Sequence, residues 1–236
     1  MKYCEENQFH PKLVCNKGNM LLNEIKMPLT NNKAYNLQFE FNNLNTNKVN
    51  SDLLLTTQLY ELLEKVNVDL IEKIHILNVL NAQETDICII LKPIAKEVGI
   101  KQKYILFRST KYLNKLNNSI TYYNKDLIYE HKDLIDNYLG IIKLDNNKYE
   151  PLTFNFGKTL IHVTNNTILL PSNNIEGEDE GEDEDNNHDK FIHVKFSIDF
   201  QISIADDLPI YMNNLIGLMF KKMFYNVKSF INNLNS

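Results

Sequence analysis

Six histidines, three cysteines and a single arginine are where this 236-residue chain would keep metal, nucleophilic or anion-binding chemistry. His75, His162 and His193 fall in strand-like segments, and His10, His131 and His188 in polar ones. None has a second histidine at the HxH or HxxxH spacing that puts two imidazoles on one metal. Cys4, Cys15 and Cys88 form an odd set without paired spacing, which argues against a disulfide framework and fits a reducing compartment. Cys88 lies in an apolar run and reads as a buried thiol. No GxSxG, GxGxxG, P-loop or HExxH pattern occurs, and seven glycines leave few loops to cradle a phosphate. The carboxylates lie mostly in loops and helix starts, with no positioned acid–base pair. The expectation is a protein that is not an enzyme and uses neither cofactor nor metal.

Arg108 is the one polar residue that stands out. It sits mid-strand in residues 103–113, sharing a face with Tyr104, Leu106, Thr110 and Tyr112, while Ile105, Phe107, Ser109 and Lys111 share the other. A buried guanidinium needs an oxyanion. Two partners fit: the headgroup of a ligand, if this face is the concave one, or a cross-strand Asp or Glu. A lone arginine also argues against a nucleic-acid partner, since base and phosphate readout leans on arginine forks.

The elements that must position these residues follow from hydrophobic periodicity. Residues 20–27 and 34–41 read as strands, the second from the alternation of Tyr35, Leu37, Phe39 and Phe41 with Asn36, Gln38 and Glu40. Residues 53–66 read as a helix after the capping types Asn50, Ser51 and Asp52. Strands follow at 73–80, 86–92, 103–113, 119–128, 137–144, 159–170 and 190–204, with a helical turn in 129–136. Segment 86–92 is apolar on both faces. The chain closes on a long helix whose apolar residues, Leu208, Met212, Leu215, Ile216, Met219, Phe220, Met223, Phe224, Val227, Phe230, Ile231 and Leu234, recur at threes and fours. A stripe that wide needs a large cover. A strongly twisted antiparallel sheet curls into a half-barrel and can supply it. The expected class is α+β: a curved antiparallel sheet wrapped around a long C-terminal helix, the helix-grip layout.

The net charge of −5 is concentrated in residues 173–189, which are acidic and nearly free of apolar side chains. That composition predicts a disordered acidic insertion. No apolar run approaches the roughly 20 residues of a membrane span, and residues 1–19 lack the apolar core of a signal peptide. The sequence therefore predicts a cytoplasmic protein with a polar extension over 1–18 and one domain over 19–236.

Over that domain the chain resembles the StAR-related lipid-transfer (START) domains of the Bet v 1-like superfamily. The resemblance rests on three places. The helix at 53–66 leads into a sheet through Val68-Asp69. The strand at 87–92 is followed by Pro93, a loop and Tyr104-Ile105-Leu106-Phe107-Arg108. A last strand ends at Asp206-Asp207-Leu208-Pro209, with Asn213 and Asn214 soon after in a helix. The chain departs from the family pattern in having no Trp and in carrying Gln102-Lys103 where an Arg-Asp pair is common. The resemblance implies a hydrophobic tunnel between sheet and helix that holds one phospholipid or sterol, and transient contact with a membrane surface. Its walls would be Met212, Leu215, Ile216, Met219, Phe220, Met223, Phe224 and Val227, with Arg108 as the headgroup contact and the loop at 93–102 as part of a lid. Residues 194–202 and 218–230 also resemble coenzyme-Q-binding proteins of the same superfamily, which keeps a quinone or polyketide ligand open. A third reading is a protein-interaction module with a filled core. A cavity of several hundred Å3 between helix and sheet would separate the first two from the third.

Overall fold

Period-two alternation builds one face of a large sheet. The computed structural model describes residues 11–26, 33–93, 101–128, 132–145, 147–166, 190–203 and 210–236. The expected acidic insertion at 173–189, most of the loop at 93–102 and the turn before the last helix lie outside them. In β3 (Lys33–Asn45), Tyr35, Leu37, Phe39 and Phe41 are buried, and in β10 (Phe191–Ser203) Val194, Phe196, Ile198 and Phe200 are. The two strands are antiparallel neighbours, in a register that sets Phe39 against Phe196 and Tyr35 against Phe200. The Phe39 and Phe196 rings stack at 4.8 Å. The opposite face of the same strands is polar: Asn36 donates to Ser197 (3.2 Å) and to Asp199 (2.6 Å).

The remaining strands are β1 (Lys12–Asn16), β2 (Met20–Lys26), β4 (Ile71–Val79), β5 (Glu84–Leu91), β6 (Gln102–Asn114), β7 (Ser119–Asp126), β8 (Tyr149–Pro151) and β9 (Thr153–Asn166). They form a ten-stranded sheet in the order β1-β2-β3-β10-β9-β7-β6-β5-β4, with the short β8 pairing parallel to β6 and every other pairing antiparallel. The expected boundary at residue 18 cuts through a hairpin: β1 pairs with β2 across Gly18, at φ +66°, and Asn19, at φ +52°. Residues 12–16 therefore form an edge strand of the sheet.

The two-faced apolarity of β5 is explained by a second core. Ile87 and Leu91 face the main core, while Cys88 and Ile90 join Tyr104, Leu106, Leu127, Tyr138 and Leu139 on the other side of the sheet. The last two come from α3 (Lys132–Ile142), a helix over much of the stretch expected as a strand at 137–144. Leu134, Ile135, Tyr138, Leu139 and Ile142 all pack on this second core, at the spacing of one helical face. The pattern at 137–144 alone, an apolar run interrupted by Gly140, cannot be told from a strand; the helical period is visible only from residue 134 onward.

The helix expected over 53–66 is two helices, α1 (Asp52–Leu55) and α2 (Gln58–Val66). Thr56 makes the break. Its backbone is extended (φ −129°, ψ −174°). Its hydroxyl donates to the Asp52 carbonyl (2.8 Å) and accepts from the Gln58 amide (3.2 Å). The Asp52 carbonyl keeps its bond from the Thr56 amide, while the Gln58 amide goes to the hydroxyl in place of a helical carbonyl.

The C-terminal helix, α4 (Ile210–Asn235), is 26 residues long. Met219, Met223, Val227 and Ile231 are buried at a spacing of four, with Phe220, Phe224 and Phe230 packed beside them. Asn67, at the C-terminal end of α2, locks α2 to α4. Its amide donates to the Leu63 carbonyl (2.9 Å) and the Met223 carbonyl (3.2 Å), and its oxygen accepts from Asn226 (2.8 Å). Higher up α4, Gly217 lies flat against Tyr35: a Cβ there would come within 2.9 Å of the ring. Tyr35 is itself stacked on Phe200 at 5.4 Å and has little room to yield. Gly217→Ala is expected to cost about 1–3 kcal/mol of stability through overpacking, read as a lowered midpoint in thermal or urea unfolding; an unchanged midpoint would mean α4 shifts freely on the sheet.

Candidate ligand cavity

Two helices and the concave face of the sheet leave a cavity between them. α2 and the break before it contribute Thr56, Leu59, Tyr60 and Leu63; α4 contributes Phe220, Met223 and Phe224. The sheet contributes Ile71, Ile89, Ile105, Phe107, Ile198 and Phe200, with the more polar Tyr122, Asn124 and Thr159 toward one side. Asp199 borders the space but turns its carboxylate to Asn36 on the outer face. The walls are overwhelmingly hydrophobic, with a few oriented polar groups, the usual chemistry of a site for an apolar ligand.

The polar groups are neutral. Burial pushes the Tyr60 phenol up to about 12, with the nearby Ser109 hydroxyl pulling more weakly the other way. The Tyr122 phenol is raised as well, chiefly by burial and then by Tyr60, and donates to the Leu55 carbonyl at 2.7 Å. Neither ionises near neutral pH. Asn124 keeps its Oδ1 buried with no hydrogen-bond donor on it, which makes it an acceptor open to a water or a ligand hydroxyl.

The volume is about 90 Å3. That is a space, so the helix–sheet interface is not packed solid, but it falls short of the several hundred Å3 a lipid tunnel needs. The ring stack of Phe220 on Phe200 (4.7 Å) and the tilted contact of Phe224 with Phe39 (5.7 Å) are what narrow it.

The residues expected as tunnel walls separate into groups. Phe220, Met223 and Phe224 line the cavity. Met219 and Val227 are buried in the adjoining core without reaching it. Leu215, one turn before Met219 on the same row, is 40% exposed and does not line the cavity. The side chains of Met212 and Ile216 are outside the described residues. Arg108 lies on the opposite face of the sheet. Its Nε and Nη2 donate to the two oxygens of Asp86, at 2.7 and 3.0 Å, in the bidentate geometry of a strong ion pair. Asp86 is its cross-strand neighbour and also accepts from the Tyr138 hydroxyl (2.7 Å). Of the two partners open to Arg108, the carboxylate is the one present, and it ties β5, β6 and α3 together beneath the second core. The headgroup role does not survive, because the guanidinium is on the wrong side of the sheet.

Sequence reasoning passed over Lys111, three residues on. It lies on the cavity side of β6, opposite Tyr122 on β7, with its ammonium 3.4 Å from the Leu55 carbonyl and 6.0 Å from the centre of the Tyr122 ring. The available signal was a lysine on a face otherwise made of Ile105, Phe107 and Ser109. Among the described residues no group of three or more His, Cys, Asp or Glu is placed to hold a metal ion, and no helix is long and apolar enough to cross a membrane.

A curved antiparallel sheet closed by a long C-terminal helix, with two short helices between its third and fourth strands, is an architecture found in solved structures. The lipid transfer and protein localization domain of human StarD13 superposes with a TM-score of 0.58 at 11% identity, over 97% of this chain and 90% of that one. The fold is that of the START domains. Human StAR-related lipid transfer protein 5 gives a TM-score of 0.54 at 9% identity, over 95% and 86% of the two chains. A fragment of the STAR-related lipid transfer protein of Xanthomonas axonopodis gives 0.50 at 9%, over 96% and 99%. No protein-family model and no curated protein sequence matches the chain. At such low identity the START fold is shared without its residues, so the contents of the cavity have to be read from this chain alone.

Proposed function

We propose that the protein binds a single lipid between sheet and C-terminal helix and carries it between membranes, without chemical conversion. The observation that carries this reading is the cavity itself: apolar walls from α2, α4 and the concave sheet, polar groups that stay neutral, and an acceptor with no donor. The names of the START-fold structures, lipid transfer proteins among them, support it as analogy. Because the space is about 90 Å3, loading requires the aromatic side chains of α4 to move off the sheet, and contact with a membrane surface is where that displacement is expected.

The test is direct. Protein incubated with vesicles carrying a fluorescent phospholipid or sterol is expected to move the probe to acceptor vesicles above the protein-free rate, and native mass spectrometry is expected to show one lipid per chain. No transfer and no bound lipid would leave the second reading, an interaction module with a filled core, which the small cavity favours.

A further inference from the structure

We propose that the polar end of the ligand is a carboxylate, held by Lys111 in a second chamber that opens beside the apolar one; the inference rests on the ligand-binding reading above. The second chamber has a volume of about 130 Å3 and is walled by Thr56, Thr57, Thr85, Ser109, Lys111 and Tyr122 among others. Thr56 and Tyr122 line both chambers, so they form the partition between an apolar space and a polar one. A chain with its tail in the first places its head in the second.

The polar chamber is chemically one-sided. Its lining contains an ammonium and four hydroxyl-bearing side chains besides Tyr122, and no carboxylate. Lys111 is half-buried, and its contacts are a long bond to the Leu55 carbonyl and the face of the Tyr122 ring. Of the other little-exposed lysines, Lys103 pairs with Glu150, while Lys221 and Lys228 rest on the Cys15 sulfur and the Asn19 carbonyl; none of them faces a chamber lined with hydroxyls as Lys111 does. A partly desolvated ammonium gains most from an anion, and one lysine matches one negative charge. Thr85 and Ser109, both buried, can donate to the second oxygen. The break between α1 and α2 serves the same place, since the extended backbone of Thr56 is what brings that residue to the partition.

The experiment compares oleic acid, oleyl alcohol and methyl oleate on the native protein, at a pH where the acid is ionised, and repeats the series with Lys111→Met and Lys111→Arg. The acid is expected to bind about tenfold or more tighter than the alcohol, the worth of a charge-assisted hydrogen bond. Lys111→Met is expected to abolish that preference while leaving the alcohol's affinity as it was, and Lys111→Arg to restore it. Alcohol bound as tightly as acid would overturn the assignment and seat a neutral donor on Asn124 instead. Equal loss of acid and alcohol in Lys111→Met would overturn it too, by making Lys111 a structural residue. Failure of all three compounds to bind would sink the lipid-binding reading itself.

Discussion

Arg108→Met is expected to lower the unfolding free energy by about 3–5 kcal/mol, toward the lower end because the arginine keeps 29% of its side chain exposed. The loss comes from what is left behind. The Asp86 side chain is 0% exposed, and removing the guanidinium takes away its bidentate partner and leaves its charge to the Tyr138 hydroxyl. The double replacement Arg108→Met with Asp86→Leu should recover much of the loss, since removing both charges leaves no uncompensated ion. Urea unfolding of the two single variants and the double variant measures the coupling. The same proteins, assayed where they are fully folded, are expected to bind apolar ligand as the native chain does, because the pair sits behind the sheet. A selective loss of ligand affinity with little loss of stability would return Arg108 to the site.

That outcome also shows where the sequence runs short. Alternation along residues 103–113 sorts the side chains correctly: Tyr104 and Leu106 lie on the second core with Arg108 beside them, and Ile105 and Phe107 on the first. What alternation does not contain is which face curls inward. That depends on strand order and twist, which are set by partners far away in the chain. Arg108 and Lys111 were thus both readable as strand residues, and only the curvature decides that Lys111 lies on the cavity side of β6. The strands β3 and β10 were legible because each has one polar and one apolar face. α3 was not, because a helix laid on the back of an already apolar strand adds no period-two signal. The break at Thr56 was invisible for a different reason, since a single threonine hydroxyl, bonded to the Asp52 carbonyl and the Gln58 amide, marks the place where the chain leaves the helix.

Met219 and Phe220 are neighbours on α4, and the two tryptophan variants should behave differently. Met219 is 9% exposed in packed core and does not line the cavity. A larger ring there has nowhere to go, so Met219→Trp is expected to cost about 1–3 kcal/mol by overpacking and to weaken ligand binding only as far as it unfolds the chain. Phe220 faces the cavity from its stack on Phe200. Phe220→Trp can extend into the open space, so its effect on stability is expected to be small, while the space a ligand's tail would enter is filled. Binding of an apolar probe should fall about tenfold or more, the equivalent of losing some 1.4 kcal/mol or more of contact. Thermal unfolding and ligand titration of the pair read both quantities. Loss of stability in both variants with ligand affinity intact per folded molecule would mean that α4 is core along its whole length. Loss of affinity in Phe220→Trp alone identifies the stretch of α4 from Phe220 to Phe224 as the wall that a ligand touches, held in place by the Asn67 clamp on the Met223 carbonyl.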